Sequence, residues 1–148
     1  VYLMLLASIA ALLSAYQVDG KAAFGVVGSA FSVAGAMKDG IKRPTEAYVI
    51  PLPSGFGQAT QDLGPLLQQC RYEFGVVVGL RLVDDPKGEK GPALMDQTTK
   101  AITACLLGRC PAPGADRIEI TRAEPIGIKE NTLWMLYRFK TMVSVHQE

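Results

Sequence analysis

Apolar and polar positions alternate strictly over residues 67–83, LQQCRYEFGVVVGLRLV. Cys70, Tyr72, Phe74, Val76, Val78, Leu80 and Leu82 fall on one side, and Gln69, Arg71, Glu73, Gly75, Val77, Gly79 and Arg81 on the other. Period-two alternation over this length predicts one long, half-buried antiparallel strand. A strand of ~16 residues spans roughly 50 Å, whereas a compact domain of this size has a radius of gyration of only about 15 Å. The strand is therefore expected to bend at Gly75 or Gly79, or to project beyond the body. A projecting ribbon on a small domain suits contact with a neighbour.

A second alternating run places Leu133, Met135, Tyr137, Phe139, Thr141, Val143 and Val145 on one side, again as a strand. A shorter one, residues 117–123, sets Ile118 and Ile120 against Glu119 and Thr121, and residues 127–131 read as a wide hairpin bend between the two. Residues 47–52, AYVIPL, are rich in strand formers, with Pro51 marking an edge or a strand end. Helical spacing appears in three places. Leu5, Ile9, Leu12 and Tyr16 form a stripe over residues 2–15, widened by Leu6 and Leu13. Ser29 can cap a short helix over residues 30–38 that ends near Gly40. Leu94, Thr98, Ala101, Ile102, Cys105 and Leu106 form a third stripe, with Pro92 suited to the first turn and Gly108 to the stop. This order predicts an α+β domain: a mainly antiparallel four-stranded sheet with helices packed on one face and long projecting strands.

The 148 residues make one domain, with enough chain for a real core. A net charge of +1 predicts neither a surface that coats nucleic acid nor strong electrostatic steering, and gives little electrostatic protection against self-association. The three cysteines, Cys70, Cys105 and Cys110, are an odd number, which argues against a full disulfide framework and for a reducing compartment. Residues 1–18 carry no charged side chain. Their dense apolar part is shorter than the ~20 residues of a membrane span, and no basic stretch precedes it, so it is read as a buried or interface helix.

Catalytic chemistry is hard to find. The only histidine, His146, lies near the end of the sequence, a poor place for an oriented base. There is no nucleophile elbow and no phosphate-binding loop spacing. Cys70, Cys105, Cys110 and His146 nominally make a zinc set, but Cys70 and Cys105 sit on apolar faces and read as small buried hydrophobes. Asp84, Asp85, Lys87, Glu89 and Lys90 mix both signs of charge, as a solvated loop or as an interface rim. Trp134 shares a face with Arg138 and Lys140. It is either a contact hot spot on the outer sheet face or a side chain covered by the N-terminal helix.

The ordered features resemble the tail terminator proteins of long-tailed bacteriophages. The matching pieces are residues 47–52, a Gly-rich loop, Gln69 leading into Phe74, Gly75, Val76, Val77 and Val78, then Asp84, the helix end ITACLLG over residues 102–108 with Pro111 after it, and Leu133, Trp134, Tyr137, Phe139 and Thr141. They cover about residues 44–145. The resemblance departs at the N-terminal helix, which is more apolar than the family pattern, and at Arg109 and Cys110, where an aromatic residue often precedes the proline.

The resemblance implies a virion protein, assembled in the host cytoplasm, whose copies close into a six-fold ring on the head-proximal end of the tail tube. Such a ring stops tube growth, offers a docking face to the head–tail connector protein, and lets DNA pass through its lumen without sequence recognition. Its partners are further copies of itself, the tail tube protein and the connector, with no membrane, no cofactor and no catalysis. Contact is expected from the 53–64 loop, the 84–91 loop, the projecting strand end and the 124–132 hairpin bend, with Phe56, Gln58, Asp84, Asp85, Lys87, Glu89, Lys90, Lys129, Glu130 and Trp134 as interface residues. Rival readings are another head–tail joining or tail-completion protein, a small cytosolic thiol-dependent enzyme, and a membrane-associated accessory protein.

Overall fold

Residues 67–81 of the alternating run form one uninterrupted strand in the computed structural model, which describes residues 2–41, 44–56, 67–82, 90–129 and 131–146. In chain order the elements are α1 (Tyr2–Ala15), β1 (Gln17–Val18), β2 (Lys21–Ala22), β3 (Val26–Ser29), α2 (Ala30–Asp39), β4 (Thr45–Pro51), β5 (Gly55–Phe56), β6 (Leu67–Arg81), α3 (Lys90–Leu106), β7 (Glu119–Lys129) and β8 (Thr132–His146). β6 and β8 pair antiparallel along their whole length, from Leu67 opposite His146 to Arg81 opposite Thr132. Around this ladder the sheet runs β3-β4-β6-β8-β7, with β5 paired to the start of β6. β1 and β2 form a separate two-residue ribbon.

The α+β class holds, with two corrections. The described sheet has six strands, not four, and is mixed, because β3 runs parallel to β4. The helices also lie on both faces, not one. Ile9 and Leu13 of α1 and Ile102, Cys105 and Leu106 of α3 join Phe74, Val76, Val78, Tyr137 and Phe139 in the larger core. On the opposite face α2 sets Val33, Ala36 and Met37 against Tyr48, Val77, Trp134 and Leu136. Glycine makes this second layer possible. A Cβ on Gly79 would lie 2.9 Å from the Trp134 ring, and one on Gly75 would lie 2.9 Å from Leu136. The two glycines expected to bend β6 instead clear space for bulky side chains crossing from β8. The apolar content of that face comes mainly from β4 and β8, so β6 alone reads as a solvated face.

The hairpin also departs from expectation. The predicted bend over residues 124–132 is largely strand, since β7 continues to Lys129. Register shifts between Ile120 and Arg122 and between Pro125 and Gly127 absorb the residues that do not fit a regular ladder. A bulge lets an edge strand carry a proline without ending. The turn itself closes at Asn131, whose φ of 58° lies in the left-handed region that asparagine tolerates.

Helix ends follow local chemistry. The Ser29 N–H donates to Ser32 Oγ at 2.9 Å at the start of α2, and Gly40, at φ 84°, donates its N–H to the Ala36 carbonyl at the other end. Gly108, at φ 78°, follows α3 and donates to the Ile118 carbonyl, which ties the helix end to the start of β7. Tyr137 and Thr99 share a hydrogen bond at 2.9 Å that pins α3 to β8 from within the larger core. Burial pushes the Tyr137 hydroxyl above its ordinary pKa, against the opposing influence of Thr99.

Candidate assembly surface

The sequence-predicted contact residues divide three ways. Gln58, Asp84, Asp85, Lys87, Glu89 and Glu130 lie outside the described residues. Lys90 opens α3, Phe56 stands 64% exposed on β5, and Lys129 is exposed at the end of β7. Trp134 is 3% exposed. It is covered, but by α2 rather than by the N-terminal helix, so it is a core side chain of the single chain and not a surface hot spot. Its ring lies 6.4 Å from that of Tyr48.

The two edges of the sheet differ. β7 forms one edge, and nearly all of its residues are exposed. Ile126 and Ile128 on this edge are 45% and 70% exposed, unusual side chains for an open edge, which more often carries charge. The neighbouring part of the α2-side face carries ion pairs. Arg138 and Arg122 both reach Glu124 at 3.2 Å, Lys140 reaches Glu119 at 3.5 Å, and Arg71 reaches Glu73 at 3.6 Å. Every one of these cations meets a carboxylate, Arg122 and Arg138 sharing Glu124, so this surface is wet and nearly neutral. Exposed pairs of this kind contribute ~0–1 kcal/mol each to stability.

On the side of β3 and β4 a groove of about 480 Å³ opens between the β1–β2 ribbon and α3. Val18, Phe24, Leu80 and Leu94 give it apolar walls, and Thr98 and Lys100 of α3 also line it. At the far end of the sheet only β6 and β8 continue: Leu67, Gln68 and Gln69 pair with His146, Val145 and Ser144, and no third described strand joins them. Among the described residues this end of the ladder is therefore two-stranded. Phe56 stands beside it, opposite Cys70.

The reactive side chains are placed for packing. Cys70 and Cys105 are buried, and Cys110 is exposed. The Cys105 thiol donates to the Leu12 carbonyl at 3.4 Å, and burial pushes its pKa up although Arg109 pulls the other way. That direction is opposite to the one that activates a nucleophilic thiol. The Tyr48 hydroxyl donates to Glu46 Oε2 at 2.8 Å beneath α2. Burial first, then the hydrogen bond and negative charge of Glu46, push the Tyr48 pKa up to about 12. The pair is a satisfied buried polar contact. Among the described residues no three side chains are grouped to hold a metal ion, and no helix is long and apolar enough to cross a membrane.

Sequence reasoning missed Ile126, Ile128 and the groove. The first two carry a signal in IGIK, residues 126–129, where apolar residues alternate, but Pro125 and Gly127 made the segment read as a bend. The groove joins residues from distant parts of the chain and has no local signature. The model of a protein family described as phage tail terminator protein matches residues 4–148. No curated protein matches the chain.

Proposed function

Because the chain belongs to the phage tail terminator family, we propose that it caps the head-proximal end of the tail tube as a ring, ending tube polymerisation and presenting the docking surface for the head–tail connector. The family match over residues 4–148 carries this reading, and makes the chain a structural protein of the phage tail and a component of the virion. Polymerisation ends when a subunit matches the exposed repeating interface of the tube on one side and offers an unlike surface on the other. The fold supports this with unlike surfaces at opposite ends of the β6–β8 ladder. One end is a two-stranded ribbon beside the exposed Phe56, and the other is the closed β7–β8 turn beside Lys129.

In this reading six copies surround a lumen through which DNA passes. The paired charges on the open sheet face suit such a passage, because they leave little net attraction for phosphate. Ring assembly takes place in the host cytoplasm. The test is tail assembly with the chain withheld. The expected products are tubes of unregulated length that do not join heads, with normal tails restored by supplying the chain. Regulated, joined tails in its absence contradict the proposal.

A further inference from the structure

We infer that neighbouring copies meet side by side, with Ile126 and Ile128 of one copy seated in the α3 groove of the next. The register places knob and groove at one level of the sheet. Thr45 pairs with Leu80, Leu80 with Leu133, and Leu133 with Ile128, and both Thr45 and Leu80 line the groove. The two features are thus on opposite edges of the same sheet row, roughly 14 Å apart across three strand spacings. No chain can fill its own groove with its own β7 edge across that row. A contact between unlike patches is heterologous, and it closes as a ring only when neighbours are related without a step along the axis. Patches at one strand level meet that condition for an axis along the strands. Phe56 does not. It pairs with Cys70, ten residues from Leu80 along β6, or roughly 33 Å away.

Charge also matches. Lys129 adjoins Ile128 and has no carboxylate partner among the described residues. Asp19 adjoins Val18 of the groove wall, in the turn of the β1–β2 ribbon, and has no cationic partner among them either. Thr98, only 8% exposed, lines the groove with a hydroxyl that makes no hydrogen bond among the described residues, while Thr99 and Thr103 beside it donate back to the Met95 and Thr99 carbonyls. A β7 edge entering the groove brings backbone N–H and C=O groups toward that hydroxyl. The two isoleucines bury on the order of 200 Å² between them, well short of the ~800 Å² per partner of a stable interface. The contact is therefore weak in free protein and closes where a tube end gathers the copies.

This inference rests on the ring-cap reading, and its test separates the two. In full-length protein with Cys110→Ser, Ile128→Cys and Ala104→Cys are introduced together and singly, and treated with a short bis-maleimide at high protein concentration. The double variant is expected to give a ladder of covalent oligomers, and each single variant is expected to stay uncrosslinked. Covalent dimers from Ile128→Cys alone, or no ladder from the double variant, overturn the contact. Lys129→Glu is expected to reduce ladder formation up to about fivefold, the range of an exposed ion pair, and mixing with Asp19→Lys chains is expected to restore it. Absence of that restoration removes the charge match. A protein that gives no ladder but still limits tail length refutes the lateral contact while leaving the cap reading standing.

Discussion

The two faces of one sheet are built on different rules. On the α1 and α3 side Phe74, Val76, Val78 and Leu80 of β6 meet Leu133, Met135, Tyr137 and Phe139 of β8 in one core, and Phe74 stacks on Phe139 with ring centroids 5.3 Å apart. On the α2 side the same two strands give only Val77, Trp134 and Leu136 to a core, with Gly75 and Gly79 opened for them and ion pairs beyond. The first face gets its stability from area removed from water. The second face depends on shape, with a large ring above a glycine, and its remaining length carries exposed ion pairs. A strand pattern that alternates strictly can thus serve a full core on one side and a smaller core with a solvated, charged remainder on the other.

Substitution separates these rules, with the largest effect expected in the larger core. Phe139→Ala should destabilise the fold by about 3–5 kcal/mol, read from the denaturant midpoint, because it removes a fully buried ring and its stacking on Phe74. A loss below about 1 kcal/mol would mean that this face is not the main core. Gly79→Ala should cost about 1–3 kcal/mol by overpacking, and Trp134→Phe in the same chain should recover part of that loss by removing the ring atoms that the new methyl meets. An equal loss with and without Trp134→Phe would place the strain elsewhere.

A pH titration reads the α2 side more finely. The Tyr48 pKa is about 12 in the folded chain and near 10 when unfolded. Its neutral form is favoured by the fold, so its contribution is fully present below pH ~10 and is lost as pH rises from about 10 toward 12. Tyrosinate absorbance should show this late titration, and Glu46→Gln should move it down without bringing it fully to the ordinary value, since burial is the leading cause. The smallest effect belongs to the open edge. Ile126→Asp, placed in the double-cysteine chain, should change stability by less than about 0.5 kcal/mol, because the side chain is 45% exposed, while it abolishes the lateral crosslink.

Much of the architecture was legible because alternation is a local signal. The two long strands, the three helices and the glycine that follows α3 all stand where their residues place them. What the sequence concealed was relational. The parallel β3–β4 pair requires a crossover that α2 supplies, and Val26–Ser29 is too short to announce a strand. Coverage by α2 depends on Tyr48, Trp134 and Leu136 meeting over glycines of a third strand, which only the register reveals. For the assembly surface, Phe56 and Lys129 were identifiable as exposed loop-end residues. Ile128 was concealed by a proline and a glycine that form a bulge rather than a turn.

The most direct measurement is addition of the purified chain to growing tail tubes, followed by electron microscopy of tube length and ends. Growth should stop at the length reached on addition, with one annular density on a single end of each tube. Tubes that keep lengthening, or that carry the protein along their sides, would contradict the account.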